Sequence, residues 1–430
     1  MRFFVATVYL VILAVFPFPV MASGYEPVRL GMSAALTGPT AALGLSYLAG
    51  VRAGFAEVNE AGGVGGRKIQ LVALDDGYDP DRVIHNYIRL VEEERVDQLF
   101  GFTGTPTVTR VLPLLVHGRS AASAMLFPLT GAYPLSLEPQ ASHIFSLRAS
   151  YADEIDAVVE RLVGVGVRRF AIAYQADAYG REGWHDLRQS LRRYGLDMVA
   201  DAAFQRNGVL RVEDISVQSG ILVDAHPEAV LCMGTDVSCA ALACNLRNVG
   251  FVGPIIMPSF VVNRGFKDRF NALCPVTLPD NLLFCEVMPE YGASPADRAG
   301  DGASPSCALA AAFEAAMARY AVGAPAGDRE AQPDGVHSGT VSSRAGKLDE
   351  VAFEGYLAAR AAVLLFGEAA PRTDLEALRA AWTRLGGARG VFSRFCTQFQ
   401  GHDEARPYVR FVTIEGADEK TVDDFERWRR

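Results

Sequence analysis

Residues Val28–Pro80 constrain this chain more than any other segment. They read VRLGMSAALTGPTAALGLSYLAGVRAGFAEVNEAGGVGGRKIQLVALDDGYDP. An apolar run, Val28–Met32, is strand-like and stops at a loop holding Thr37-Gly38-Pro39-Thr40. A helical pattern follows to about Glu60, glycines end it, and a second apolar run, Ile69–Leu74, leads to Asp75-Asp76. This is one strand–loop–helix–strand unit. It puts small hydroxyl residues and free backbone amides at the carboxyl end of a strand, where open α/β sheets take up ligands. The cluster Gly62-Gly63-Val64-Gly65-Gly66 follows a helix, not a strand, and no Lys-Ser or Lys-Thr closes it. It reads as a helix C-cap and tight turn, not a phosphate loop.

The alternation repeats. Val96–Phe100 leads into Thr103-Gly104-Thr105-Pro106, Ala124–Phe127 into Pro128-Leu129-Thr130-Gly131, and Phe170–Tyr174 into Gln175–Gly180 and an amphipathic helix. Ala229–Met233 precedes Gly234-Thr235-Asp236, and Pro254–Met257 precedes Pro258-Ser259-Phe260. Strands alternating with helices imply parallel sheets covered on both faces. A length of 430 residues exceeds one usual core, so two lobes are expected.

The formal charge of −9 argues against nucleic acid or an anionic membrane as partner. The N-terminus, MRFFVATVYLVILAVFPFPVMASGYEP, has Arg2 as its only charge before Glu26. Residues 1–22 read as a cleaved secretory signal, which sends the chain to the periplasm or another extracytoplasmic space. An oxidising compartment permits disulfides, but seven cysteines leave at least one thiol unpaired. Cys274 and Cys285 flank a proline-containing turn and are the best candidate pair; the others read as small buried apolar residues. The stretch 293–347 is rich in Gly, Ala, Pro and Asp around one helix, Cys307–Tyr320, and 321–347 is expected to be a mobile surface insertion. Helices are expected at Leu348–Gly367 and Asp374–Leu385, and a strand at Tyr408–Ile414.

No histidines stand at metal-ligand spacing, and there is no Gly-x-Ser-x-Gly nucleophile elbow. Asp75-Asp76 suit a loop-holding acceptor better than a catalytic pair. Nothing calls for an enzyme, a metal or a cofactor. Thr105-Pro106 is the sharpest local signal. Thr is a good N-cap and Pro is favoured at the first helical position. A helix starting there turns unpaired amides and its positive dipole end outward just after a strand, which suits a carboxylate. Tyr179 follows another strand, where a ring can close over a ligand and offer one hydroxyl.

The segments LTGPTAALG, GGRKIQLVALDDGYDP, GFTGTPT, FPLTGAYPL, LRASYADE, YQADAYG, PSFV and, later, FEGYLAAR occur in this order over most of the chain. In them the chain closely resembles the solute-binding proteins of ABC transporters, in the branched-chain-amino-acid (type I periplasmic-binding) family. The resemblance implies two Rossmann-like lobes with parallel sheets, joined by three crossover segments. It places lobe one at 27–147 plus 291–389 and lobe two at 148–290 plus 390–430. It also implies a small ligand in the interlobe cleft and delivery to a membrane permease. By position, Gly104 and Thr105 look like the carboxylate-binding turn. Leu129, Thr130 and Gly131 fall where the family holds the amino-acid head group. Tyr179 falls on a tyrosine that covers the ligand, and Leu43, Gly234 and Ser259 on further cleft positions.

Two departures bear on the ligand. Amino-acid binders carry an acidic residue at the position of Ser259, to pair with the ligand ammonium, and an aromatic residue near Thr235. Both are missing here. A buried ammonium without a partner costs several kcal/mol. A carboxylate-bearing or neutral polar ligand is therefore expected in place of a leucine-like zwitterion, unless another carboxylate reaches in. A sensor module of the same fold is the alternative to transport.

Overall fold

The computed structural model describes residues 26–118, 120–261, 263–274, 281–289, 309–323, 349–395, 407–415 and 418–429. The proposed signal, the stretch 324–347 and Cys307 and Cys396 lie outside the described residues.

The chain opens with β1 (Val28–Ala34), α1 (Ala41–Glu60), β2 (Ile69–Asp75), α2 (Pro80–Ile88), β3 (Gln98–Phe100), α3 (Thr105–His117), β4 (Met125–Leu126) and β5 (Ile144–Phe145). These strands form a parallel sheet in the order β2-β1-β3-β4-β5. After α4 (Tyr151–Gly164) come β6 (Phe170–Gln175), α5 (Ala178–Arg192), β7 (Ala200–Phe204), α6 (Ser216–Asp224), β8 (Ala229–Met233), α7 (Asp236–Asn248), β9 (Ile255–Met257), α8 (Asn263–Leu273) and β10 (Leu282–Glu286). The chain continues through α9 (Leu309–Gly323), α10 (Glu350–Ala369), α11 (Leu375–Leu385) and α12 (Gly387–Phe395) to β11 (Arg410–Glu415) and β12 (Asp418–Thr421). The second sheet runs β12-β11-β10-β9-β8-β6-β7, parallel except for the antiparallel β11 and β12.

Helices cover both faces of both sheets. One core joins the first sheet to α1, α10, α11 and α12, and a second lies under α2 and α3. The second sheet has one core with α4 and α5 and another with α7 and α8. The return of the chain to the first sheet depends on small residues. A side chain at Gly50 would lie 1.7 Å from the carbonyl oxygen of Ala352, and one at Gly355 2.2 Å from that of Tyr47. Glycine thus lets α1 and α10 touch backbone to backbone, which explains the FEGYLAAR segment physically. Val391, Phe392 and Phe395 of α12 also pack into this first core.

The cysteine reading is corrected. Cys274 pairs with Cys244, and Cys232 with Cys239, while Cys285 is a buried free thiol. The reason is facial. Cys274 lies in the core on the α7–α8 side of the second sheet, whereas Cys285 on β10 points into the opposite core. Among the described residues no helix is long and apolar enough to cross a membrane, and no group of three or more His, Cys, Asp or Glu could hold a metal.

Candidate ligand site between the two sheets

In a parallel sheet all carboxyl strand ends lie on one edge. The first sheet's edge carries the loops after β1, β2, β3 and β4; the second sheet's carries those after β6, β7, β8 and β9. The two edges face one another. Thr40 Oγ1 lies 3.4 Å from Asn207 Oδ1, the Tyr133 amide donates to Glu182, and Tyr78 of the first edge packs in the core of the second sheet.

The first edge supplies hydroxyls. Helix α3 begins at Thr105, with Gly104 as the cap residue at φ 96°, so Thr105 is the first helical residue and not the N-cap expected from its sequence. Its hydroxyl is thereby released from capping and lies 2.7 Å from that of Thr130. Both are buried. Gly131 accepts from the Tyr151 amide at 2.9 Å and leaves no room for a side chain beside the Tyr151 backbone. Leu129 is buried in the first core and its amide donates to the Phe102 carbonyl at 2.9 Å. Leu43 packs against the cores of both sheets, at their junction.

Asp75 and Asp76 shape the loop after β2. Asp75 accepts from the amides of Leu36, Thr37 and Gly77 and from the Thr37 hydroxyl, and pairs with Arg82 at 2.8 Å. Burial alone would raise its pKa, but these donors more than offset it and hold the carboxyl low. Burial pushes Asp76 up to about 6 despite bonds from the Ser33 hydroxyl and the Tyr78 amide. The pair is a loop-holding acceptor set, and what it holds is Tyr78. Tyr78 sits at φ 62°, a region that bulky residues rarely adopt.

The second edge supplies rings. Asp177 caps α5, so Tyr179 lies in the first helical turn, not on a free loop. It is fully buried, 5.1 Å from the Tyr151 ring and 5.1 Å from that of Phe260. Phe260 faces Tyr78 at 6.2 Å. The hydroxyls of Tyr78, Tyr151 and Tyr179 are buried and find no hydrogen-bond partner among the described residues. Tyr78 lies near Gln175, and Tyr151 near Thr130, without closing a bond. Native proteins satisfy nearly all buried polar groups, so three phenols without a well-formed partner make this cluster a candidate site for outside acceptors.

Beside this cluster lies a charged one that the sequence reading missed. Arg148 donates to both oxygens of Glu354 at 3.2 Å and to the Ser259 hydroxyl. Ser259 in turn donates its amide and hydroxyl to Glu154, at 2.7 and 2.6 Å. Burial pushes Glu154 up to about 7, against the lowering effect of Arg148 and Ser259, and raises Glu354 as well. Carboxylates do reach the neighbourhood of Ser259, but Arg148 and Ser259 already occupy them. The signal was present as Glu154 and Glu354 on helix faces otherwise buried among apolar residues. Gly234 stands apart from both clusters, with Phe204, Ser238 and Cys239 around its α carbon. A cavity of about 40 Å³ lies behind the charged cluster, between Ser259, Glu286, Glu350 and Glu354; it has room for a few waters, not for a solute.

A two-sheet α/β chain with a buried site between facing strand ends defines a class of ligand-binding protein, and comparison gives its family. A family model described as periplasmic binding protein matches residues 27–269, more than half of the chain. The chain belongs to that family, of the leucine-binding-protein-like type. No curated protein matches. Among solved structures, a possible leucine/isoleucine/valine-binding protein from Rhodopirellula baltica is similar at TM-score 0.71 and 24% identity, over 95% of this chain and 98% of that one. A substrate-binding periplasmic protein from Ralstonia solanacearum is similar at TM-score 0.70 and 23% identity, over 92% and 99%. A branched-chain amino acid ABC transporter protein from Thermus thermophilus, solved with bound valine, is similar at TM-score 0.71 and 16% identity, over 93% and 96%.

Proposed function

We propose that this chain is an exported solute-binding protein that holds a small carboxylate-bearing solute between its two sheets and delivers it to the membrane permease of an ABC importer. The observation that carries the reading is the set of three buried, unpaired tyrosine hydroxyls beside the Thr105–Thr130 hydroxyl pair. These are neutral donors on both sides of the junction, and a carboxylate offers the acceptors they lack. The expected residues Gly104, Thr105, Leu129, Thr130, Gly131 and Tyr179 serve as the ligand contacts, and Leu43 as a wall. Ser259 acts through Glu154 and Arg148. The lobes divide discontinuously, 27–147 with 291–389 against 148–290 with the C-terminal segment, and α12 (Gly387–Phe395) is assigned to the first lobe in place of the expected boundary at 390 because its apolar residues pack in the first core. Ligand bridges the lobes and favours their closed arrangement through its differential affinity.

Mass spectrometry of small molecules released from the purified, folded chain tests the reading; a carboxylic acid is expected. Thr105→Ala should weaken its rebinding roughly tenfold to a hundredfold, the effect of removing a hydroxyl bonded to a charged group. Tyr179→Ala should mainly speed its release. Rebinding by both variants as tight as the parent's would show that the site lies elsewhere.

A further inference from the structure

We infer that the turn Gln205–Gly208, after β7, is a clasp between the two sheets, with Arg206 as its principal positioning residue; the inference rests on the lobe closure proposed above. The turn stands on a firm base. The Phe204 carbonyl, at the end of β7, accepts from the Ala176 amide at 2.8 Å, and the Gly208 amide donates to the Gln205 carbonyl at 3.0 Å. Arg206 and Asn207 are therefore the two corner residues of a tight turn. Asn207 takes the left-handed conformation there, φ 57°, which asparagine tolerates. Both corner side chains reach the edge of the first sheet. Asn207 Oδ1 lies 3.4 Å from the Thr40 hydroxyl, just before α1. The Arg206 guanidinium stands 5.9 Å from the centre of the Tyr78 ring, after β2.

The charge of Arg206 is divided between the sheets in the same way. It acts on Asp79, which caps α2 on the first side, and on Asp177, which caps α5 on the second. The Asp81 amide holds the Asp79 carboxyl low, and Arg206 lowers it further. Burial raises Asp177, and Gln175, the Gly180 amide and Arg206 work against that rise. Among the described residues Arg206 forms no ion pair with either carboxylate; it is half-buried and attracts both at longer range. The nearby cation Arg82 is paired with Asp75. Parting the sheets would leave Arg206 with Asp177 and take away both the Tyr78 ring and Asp79. A residue whose partners lie on both sides of a seam favours the joined arrangement over the parted one, and needs no solute to do so.

Hydrogen–deuterium exchange of the full chain, dialysed free of small molecules and read by mass spectrometry, tests this. Arg206→Ala should speed exchange about twofold to fivefold in the peptides that carry Tyr78 and Asp177–Gly180, the effect of losing a cation held over a ring. Peptides from β1 and β8, inside the sheets, should keep the parent's rates. Arg206→Lys should fall between parent and alanine variant. Salt at about 0.5 M should move the parent toward Arg206→Ala and change the variant less. Seam peptides that Arg206→Ala leaves unchanged overturn the clasp, because Arg206 then holds nothing across the seam. Peptides of β1 and β8 that speed up by the same factor also overturn it, because Arg206 then only supports the fold. If Arg206→Ala does not fold, the salt series on the parent decides, and seam exchange that does not rise with salt overturns the clasp. None of these outcomes bears on the carboxylate reading, which the mass spectrum of the released solute tests separately.

Discussion

Two buried polar clusters lie side by side at the junction of the sheets, and they are built on opposite principles. In the charged cluster Arg148, Glu354, Ser259 and Glu154 bond one another in a chain from α10 across to α4 and the β9 loop. In the phenolic cluster the Tyr151 ring meets Tyr179, and Phe260 links Tyr179 to Tyr78, while the three hydroxyls find no partner among the described residues. A charge cannot be buried alone, so the charged groups of the first cluster had to be paired within the protein, although Arg148 Nε itself finds no partner among the described residues. A neutral hydroxyl is left unpaired at smaller cost, so the second can be left open for a guest. On the proposed reading the paired charges are a structural joint and the open phenols a binding surface.

The largest break in this comparison is Arg148→Ala. It leaves Glu354 buried without a partner, and should lower the unfolding free energy by about 3–5 kcal/mol at neutral pH, read from urea denaturation. A loss below about 1 kcal/mol would mean that the charges do not act as one joint.

Glu154→Gln gives a smaller, pH-dependent effect. Glu154 titrates near 4.5 when unfolded and at about 7 in the folded protein, because burial outweighs Arg148 and Ser259. Between those values the folded chain holds a proton that the unfolded chain has lost. The contribution of this group to stability therefore falls as pH rises from about 4.5 to about 7, and is level outside that window. Asp76, Glu182 and Asp186, raised by burial to about 6, 8 and 7, tilt the parent the same way. The glutamine variant lacks one of these slopes and should gain on the parent by on the order of 2 kcal/mol between pH 4.5 and pH 8. Parallel stability curves would show Glu154 to be ionised throughout.

The smallest change sharpens the other side. Tyr179→Phe removes an unpaired buried hydroxyl while keeping the ring, and should raise stability without ligand by about 1 kcal/mol while weakening solute binding. A loss of stability would mean that the hydroxyl has a partner in the protein, as the paired charges do.

Most of the fold was legible from local pattern. Val28–Met32 and Ile69–Leu74 lie in β1 and β2 because strands of a covered parallel sheet are written as mostly apolar runs, and the alternating segment 408–414 lies largely in the antiparallel β11. Thr105, Thr130 and Tyr179 could be placed at the junction of the sheets from the sequence because loops after parallel strands converge on one edge whatever their details. Local pattern failed where a contact runs between distant elements. The cap at Gly104 displaced Thr105 by one position, which freed a hydroxyl for Thr130, 25 residues away. The pairing of Cys274 with Cys244 followed from the face of the sheet on which each sulfur lies.

The amino-acid order alone determined the strand–helix alternation, the loops that carry hydroxyls, and the family the chain resembles, since each depends on residues close in sequence. Only the tertiary structure decided which polar groups would be satisfied. Glu354 meets Arg148 across 206 positions, and Ser259 meets Glu154 across 105. Whether a buried carboxylate finds a donor, or a phenol is left without one, depends on how two sheets meet, and no local spacing encodes that distance.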